Sequence, residues 1–163
     1  MNELEAGPLL RFSDWPNDQV PRRTAGVYTI WRGGEFIYVG MSGRGAQLED
    51  FVAHPRPEGR EKAKWLWTRL DSHASGRRSG DQFNVYVCDR FIIPLLTPDQ
   101  LRDIGEGILL LDQVTKTFIR EHLGYRFVIY LSGEEALNVE RDIRAGRLSA
   151  GPPYLNPLLQ PAM

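Results

Sequence analysis

Cysteine is almost missing from this chain. Cys88 is the only one in 163 residues, so no disulfide can form within the chain, and a small buried thiol in a reducing compartment is the expectation. Histidine is scarce as well: His54, His73 and His122 are scattered without the spacing of a zinc site, which leaves a zinc hydrolase without ligands. No apolar run approaches the ~20 residues of a membrane span. No basic-then-apolar leader is present either, and the cytoplasm is the expected location. Neither sign of charge dominates. Twenty Lys and Arg against 21 Asp and Glu give a formal net charge of −1, which argues against avid, non-specific nucleic-acid binding. Repeats, low-complexity tracts, interdomain linkers, zinc fingers and helix-turn-helix patterns are all lacking, and the length fits a single domain over 1–163.

What is present centres on residues 26–40, Gly-Val-Tyr-Thr-Ile-Trp-Arg-Gly-Gly-Glu-Phe-Ile-Tyr-Val-Gly. Two runs rich in β-branched and aromatic residues flank a Gly-Gly turn, the pattern of a β-hairpin. A three-residue loop (Arg32, Gly33, Gly34) would set Trp31 opposite Glu35 and Tyr28 opposite Tyr38. A two-residue loop would place the two tyrosines on opposite faces. Glycines at both ends, Gly26 and Gly40, would let another backbone or a ligand come close. Packing alone is the plainer account of such tyrosines.

Residues 1–24 read as an irregular arm with prolines at 8, 16 and 21, anchored by Leu9, Leu10, Phe12 and Trp15, that packs across the domain or joins a dimer contact. Beyond the hairpin, Met41-Ser42-Gly43-Arg44-Gly45 lacks the Gly-Lys-Ser/Thr of a nucleotide loop, but Gly43 and Arg44 can offer N–H groups and charge to a nucleic-acid phosphate. A helix is expected over 60–74 and stopped by Gly76, with Ala63, Leu66, Trp67, Leu70 and Ala74 as its apolar stripe. Arg69 and His73, four apart, share its neighbouring edge, where a solvated surface is the simple explanation. Arg69 with Lys62, Lys64, Arg77 and Arg78 makes 60–78 locally basic, a candidate phosphate-tracking strip.

Residues 83–91 alternate as a strand, and 125–131 read as another. Thr97-Pro98-Asp99-Gln100 is a capping-box helix start, and Gly105 and Gly107 divide the helical region that follows. The last helix starts at Ser132-Gly133-Glu134-Glu135 and ends at Gly146. Its inward stripe of Ala136, Val139 and Ile143 includes Glu140. A carboxylate so placed must be paired, protonated or metal-bound. Asn138, Arg141, Asp142 and Arg144 are expected to face water. The fold class is α+β: a small, mainly antiparallel sheet made of the 25–40 hairpin and strands 83–91 and 125–131, flanked by helices.

The two ends of the hairpin, Gly26-Val27-Tyr28 and Tyr38-Val39-Gly40, resemble the tripeptides that name the GIY-YIG nuclease superfamily, with valine in each middle position. Members of that superfamily carry an arginine on the next helix, some with a histidine one turn later, then a metal-binding glutamate on a late helix and an asparagine after it. Tyr28, Tyr38, Arg69, His73, Glu140 and Asn156 match in type and order, over residues 26–157. The resemblance implies insertions near 44–59 and 92–124.

It also implies a function: metal-dependent hydrolysis of nucleic-acid phosphodiesters. DNA is the expected substrate, RNA is left open, and a homodimer is one arrangement. Glu140 would hold Mg²⁺ or Mn²⁺, Arg69 would oppose charge on the transition state, and Tyr28 would orient or deprotonate the attacking water. His73 would share the proton transfer, Tyr38 would bind phosphate or brace the site, and Asn156 would hold its geometry. Gly40, Gly43, Arg44, Lys62, Arg77 and Arg78 would contact nucleic acid. The alternative is a non-catalytic nucleic-acid- or protein-binding module on the same scaffold.

Overall fold

The computed structural model describes residues 2–46 and 65–158. Among them, strands β1 (Leu10–Arg11), β2 (Ala25–Arg32), β3 (Glu35–Ser42) and β4 (Leu123–Tyr130) form one antiparallel sheet in the order β1-β4-β2-β3. The helices are α1 (Asn2–Ala6), α2 (Leu66–Ala74), α3 (Gln82–Val87), α4 (Pro98–Gly105), α5 (Leu111–His122) and α6 (Gly133–Arg144). This is the expected α+β class.

The hairpin reaches its geometry by a route that loop length alone does not predict. Arg32 pairs with Glu35 and Trp31 with Phe36 across a two-residue Gly33-Gly34 turn, where Gly33 takes a positive φ of 59°. Continued, that register would separate the tyrosines. Instead Ile37 is an extra residue on β3, and pairing resumes with Ile30 opposite Tyr38 and Tyr28 opposite Gly40. One inserted residue reverses the facing of everything beyond it. Tyr28, Ile30 and Tyr38 therefore join one apolar layer, while Val27, Trp31, Phe36 and Val39 join the other.

The two layers receive different helices. On the tyrosine side lie Leu66, Leu70 and Ala74 of α2, Phe83 and Val87 of α3 and Ile119 of α5. On the far side lie Leu4 of α1 with Ala136 and Ile143 of α6. The sheet is thus covered on both faces.

Residues 2–24 are more regular than expected, since α1 and the edge strand β1 lie within them. The arm packs on its own chain, burying Leu4, Phe12, Trp15 and Val20. Each such side chain stabilises the fold by about 1.5–3 kcal/mol. Trp15 also ties the arm to α2, its Nε1–H donating to Asp71 at 2.9 Å.

The strand expected over 83–91 is a correction. This stretch is helix: α3 followed by a wider π turn, Cys88–Ile92, and a 3₁₀ turn, Ile93–Leu95. Phe83, Val85 and Val87 satisfy a two-residue alternation, but Phe83, Asn84, Val87, Cys88, Phe91 and Ile92 are the buried set, at helical spacing. Asp81 caps the helix by accepting from the Phe83 N–H. Further on, Thr97 and Gln100 form the expected capping box, and α4 and α5 are separate helices on either side of Gly107. Of the helix expected over 60–74, the part before residue 65 lies outside the described residues.

Candidate active site

The site begins with the facing of β2 and β3. Tyr28 and Tyr38 stand on one face with ring centroids 6.5 Å apart. Gly40, directly opposite Tyr28, is buried, and a Cβ there would run into the Tyr28 ring and hydroxyl. Its missing side chain makes room for a tyrosine of the same chain.

Helix α2 crosses this face and drives His73 between the rings. His73 is wholly buried, so the simple explanation of a solvated edge does not hold for it. Its Nε2 sits 2.7 Å from the Tyr28 hydroxyl, and its Nδ1 sits 2.8 Å from Asp81 Oδ2. The Phe83 and Tyr38 rings pack against the imidazole, with centroids at 4.6 and 5.8 Å. Asp81 also accepts from Ser72 Oγ at 2.6 Å and from the Phe83 N–H at 3.1 Å. Burial pushes the Asp81 carboxyl up, but the hydrogen bonds from His73 and Ser72 outweigh it, so it titrates below its ordinary value. Asp81 is therefore a carboxylate.

Arg69, one turn before His73 on α2, lies near both phenols and makes ionising either one less costly. Its Nε is buried without a hydrogen-bond acceptor among the described residues. The phenols themselves resist ionisation. Burial raises Tyr28 far above its ordinary value, and the neighbouring Tyr38 adds to this. Burial also pushes Tyr38 up to about 12, against the pull of Arg69, with Asp81 and Glu140 raising it further. Tyr28 has no exposed surface and Tyr38 has 7%. The Tyr28 hydroxyl and His73 Nε2 share one hydrogen bond, and neither residue has exposed surface.

Glu140 and Asn156 form a second group at the outer edge of β3. Helix α6 packs on the sheet face opposite the tyrosines, with Glu140 in its inward stripe as expected and 8% exposed. Asn156 behaves like one residue of an added strand: its Oδ1 accepts from the Val39 N–H at 3.2 Å, and its Nδ2 donates to the Val39 carbonyl at 2.7 Å. The neighbouring Leu155 N–H donates to the Ile37 carbonyl at the bulge. Arg144, expected in water, folds back instead, donating from Nε to the Asn156 carbonyl and lying 3.5 Å from Glu140. The Glu140 charge makes ionising Tyr38 slightly harder, but no hydrogen bond joins the two groups among the described residues.

As a metal ligand Glu140 stands almost alone. Among the described residues no three of His, Cys, Asp and Glu converge on one point. Burial raises the Glu140 pKa, against the pull of Arg144, Arg44 and Arg141. One carboxylate whose charge is already opposed by three arginines is a weak site for a divalent ion on its own; an ion there would need waters and a substrate phosphate for its other ligands.

Of the residues expected to contact nucleic acid, Arg44 is exposed and near Glu140, and Arg77 is exposed on its loop. Gly43 is buried, and its carbonyl is pressed against Gly133 at the start of α6. Arg78 is engaged by Asp112, Nε to Oδ1 at 2.8 Å. Lys62 lies outside the described residues. An apolar groove of about 420 Å³, lined by Phe91, Leu96, Val114 and Phe118 among others, has none of the six catalytic candidates in its wall.

Asp81 and Ser72 were not legible as site residues. The signal for Asp81 was its place before an apolar pattern, as an N-cap, and reading 83–91 as a strand concealed it. No family model, curated protein or solved structure matches the chain.

Proposed function

We propose that this protein is a metal-dependent endonuclease that hydrolyses phosphodiester bonds, with DNA as substrate. The observation that carries this reading is the contact between Tyr28 and His73, with Arg69 beside it, on the face of the Gly26–Gly40 hairpin. A phenol with a nearby imidazole acceptor suits proton transfer beside an anion. Arg69, whose side chain hydrogen-bonds the Tyr28 phenol while its Nε meets no acceptor among the described residues, suits the anion itself.

In this reading Arg69 binds the phosphate and opposes the charge that builds on it. His73 takes the Tyr28 proton, and Tyr28 orients the attacking water. Tyr38 braces the phosphate. Glu140 is the residue that would hold Mg²⁺ or Mn²⁺, which when bound polarises the phosphate and stabilises the leaving oxygen. Arg44 and Arg77 would track the backbone. Because Tyr28 is enclosed, substrate binding must open the cover over its hydroxyl.

That enclosure favours a second reading, a non-catalytic binding module in which the tyrosines are core residues. Incubation of the purified protein with supercoiled plasmid and with structured RNA, in Mg²⁺, Mn²⁺ or EDTA, separates the two. Metal-dependent cleavage that Arg69→Ala abolishes supports the nuclease; binding without cleavage supports the module. No described helix is long and apolar enough to cross a membrane, and a cytoplasmic location belongs to the same proposal.

A further inference from the structure

We propose that Asp81 is a positioning residue that holds His73 in the tautomer protonated on Nδ1, so that the Nε2 lone pair faces the Tyr28 proton and can accept it. The inference rests on reading this site as a phosphodiesterase. Its geometric half can be checked without any substrate.

The donor and acceptor inventory around the ring leaves little choice. Asp81 is a carboxylate and can only accept hydrogen bonds. Its Oδ1 takes the Phe83 N–H, and its Oδ2 takes the Ser72 hydroxyl and faces His73 Nδ1 at 2.8 Å. The proton of a neutral imidazole must then sit on Nδ1. Nε2, 2.7 Å from the Tyr28 oxygen, carries the lone pair, so the Tyr28 hydroxyl is the donor. The alternative tautomer would set a lone pair against a buried carboxylate.

The consequence is a relay with a direction. When the site acts, the Tyr28 O–H bond breaks and an Nε2–H bond forms, while the proton of the attacking water goes to the Tyr28 oxygen. The products are an imidazolium, opposed by the Asp81 carboxylate, and a hydroxide beside the phosphate. Asp81 keeps its own charge throughout. Its location at the start of α3 and its reach to α2 fix the ring from outside the hairpin.

Asp81→Asn is the informative change, because asparagine also caps helices well and so preserves the start of α3. If the oxygen of the introduced amide keeps the Phe83 N–H, its NH₂ faces Nδ1 and forces the proton to Nε2. His73 then donates to Tyr28 and cannot take its proton. Long-range ¹H–¹⁵N spectra of the full chain, with His73 assigned through His73→Gln, read the tautomer directly. The expected result is Nδ1–H in the wild type and Nε2–H in Asp81→Asn. With it comes a fall of about 10⁴-fold in kcat, the size seen when a catalytic histidine is held in the wrong tautomer. The pH–rate profile should also lose its His73 limb. Among the described residues, the titratable groups facing that ring include Tyr28, Tyr38 and Asp81, with Arg69 on its own helix.

Wild-type His73 protonated on Nε2 overturns the inference. So does an Asp81→Asn protein with unchanged tautomer and rate. A wild-type protein that cleaves no nucleic acid ends the phosphodiesterase reading, while the spectra still decide the role of Asp81 in setting the tautomer.

Discussion

The Tyr28 hydroxyl and Nε2 of His73 stand 2.7 Å apart, 45 positions separated in sequence and both without exposed surface. Neither residue is placed for solvent, and each is the other's hydrogen-bond partner inside the core.

Replacing Arg69 tests the anion-binding role most directly. Arg69→Ala should lower cleavage by about 10²–10³-fold, the usual cost of removing one preorganised donor to a developing charge. Arg69→Lys should recover little of it, because a point charge does not reproduce the guanidinium fork. Plasmid nicking rates measure both, and near-normal cleavage by either variant would remove Arg69 from the chemistry.

Glu140 should behave as a carboxylate that destabilises the fold for the sake of its site. Its folded pKa is raised above the ordinary 4.5, by burial first. The folded state then binds protons more tightly than the unfolded chain, so this group's contribution to stability falls as pH rises from below 4.5 through the folded value. Glu140→Gln should accordingly melt higher than the wild type at pH 7, yet lose about 10²-fold or more in Mg²⁺-dependent cleavage. With three arginines nearby, Mg²⁺ alone should leave the wild-type Tm unchanged. Calorimetry with and without Mg²⁺ checks the last point.

Asp81 has the opposite sign. Its folded pKa lies below the ordinary 3.8 despite burial, owing to His73 and Ser72. Its contribution to stability is present above pH 3.8 and is lost as pH falls through the lower, folded value. Acid unfolding followed by circular dichroism should therefore be less steep in Asp81→Asn than in the wild type.

Gly40→Ala places a methyl group against the Tyr28 ring and hydroxyl. Overpacking of this kind costs about 1–3 kcal/mol, and here it also pushes Tyr28 off His73. Urea denaturation should show the loss, with a larger relative fall in cleavage than in stability.

Asn156→Ala removes two hydrogen bonds to Val39 and leaves an edge of β3 unpaired. A loss of about 1–3 kcal/mol is expected. Asn156→Asp should be no better, since a carboxylate cannot donate to the Val39 carbonyl. By contrast, Arg78→Ala breaks an exposed ion pair with Asp112 and should change stability by less than about 1 kcal/mol and leave cleavage intact.

Features that depend on neighbours along the chain could be read before any coordinates. The paired ends of the hairpin, the Thr97 capping box and the stripe of α6 with Glu140 inside it are of this kind, because caps and periodicity act within a few residues. The stretch 83–91 failed because its residues satisfy two periods at once. Which one prevails is settled by what lies beneath Phe83, Val87 and Phe91, and that surface comes from α2, α5 and the hairpin.

Residue order alone thus determined the α+β class, the hairpin and the burial of Glu140. Only the tertiary structure decided that Ile37 bulges so that two tyrosines share a face, that His73 lies inside, and that Asp81 meets it. The reason is physical. A hydrogen bond or a register shift between residues far apart in sequence is chosen by the packing of the whole core, and no local pattern encodes it.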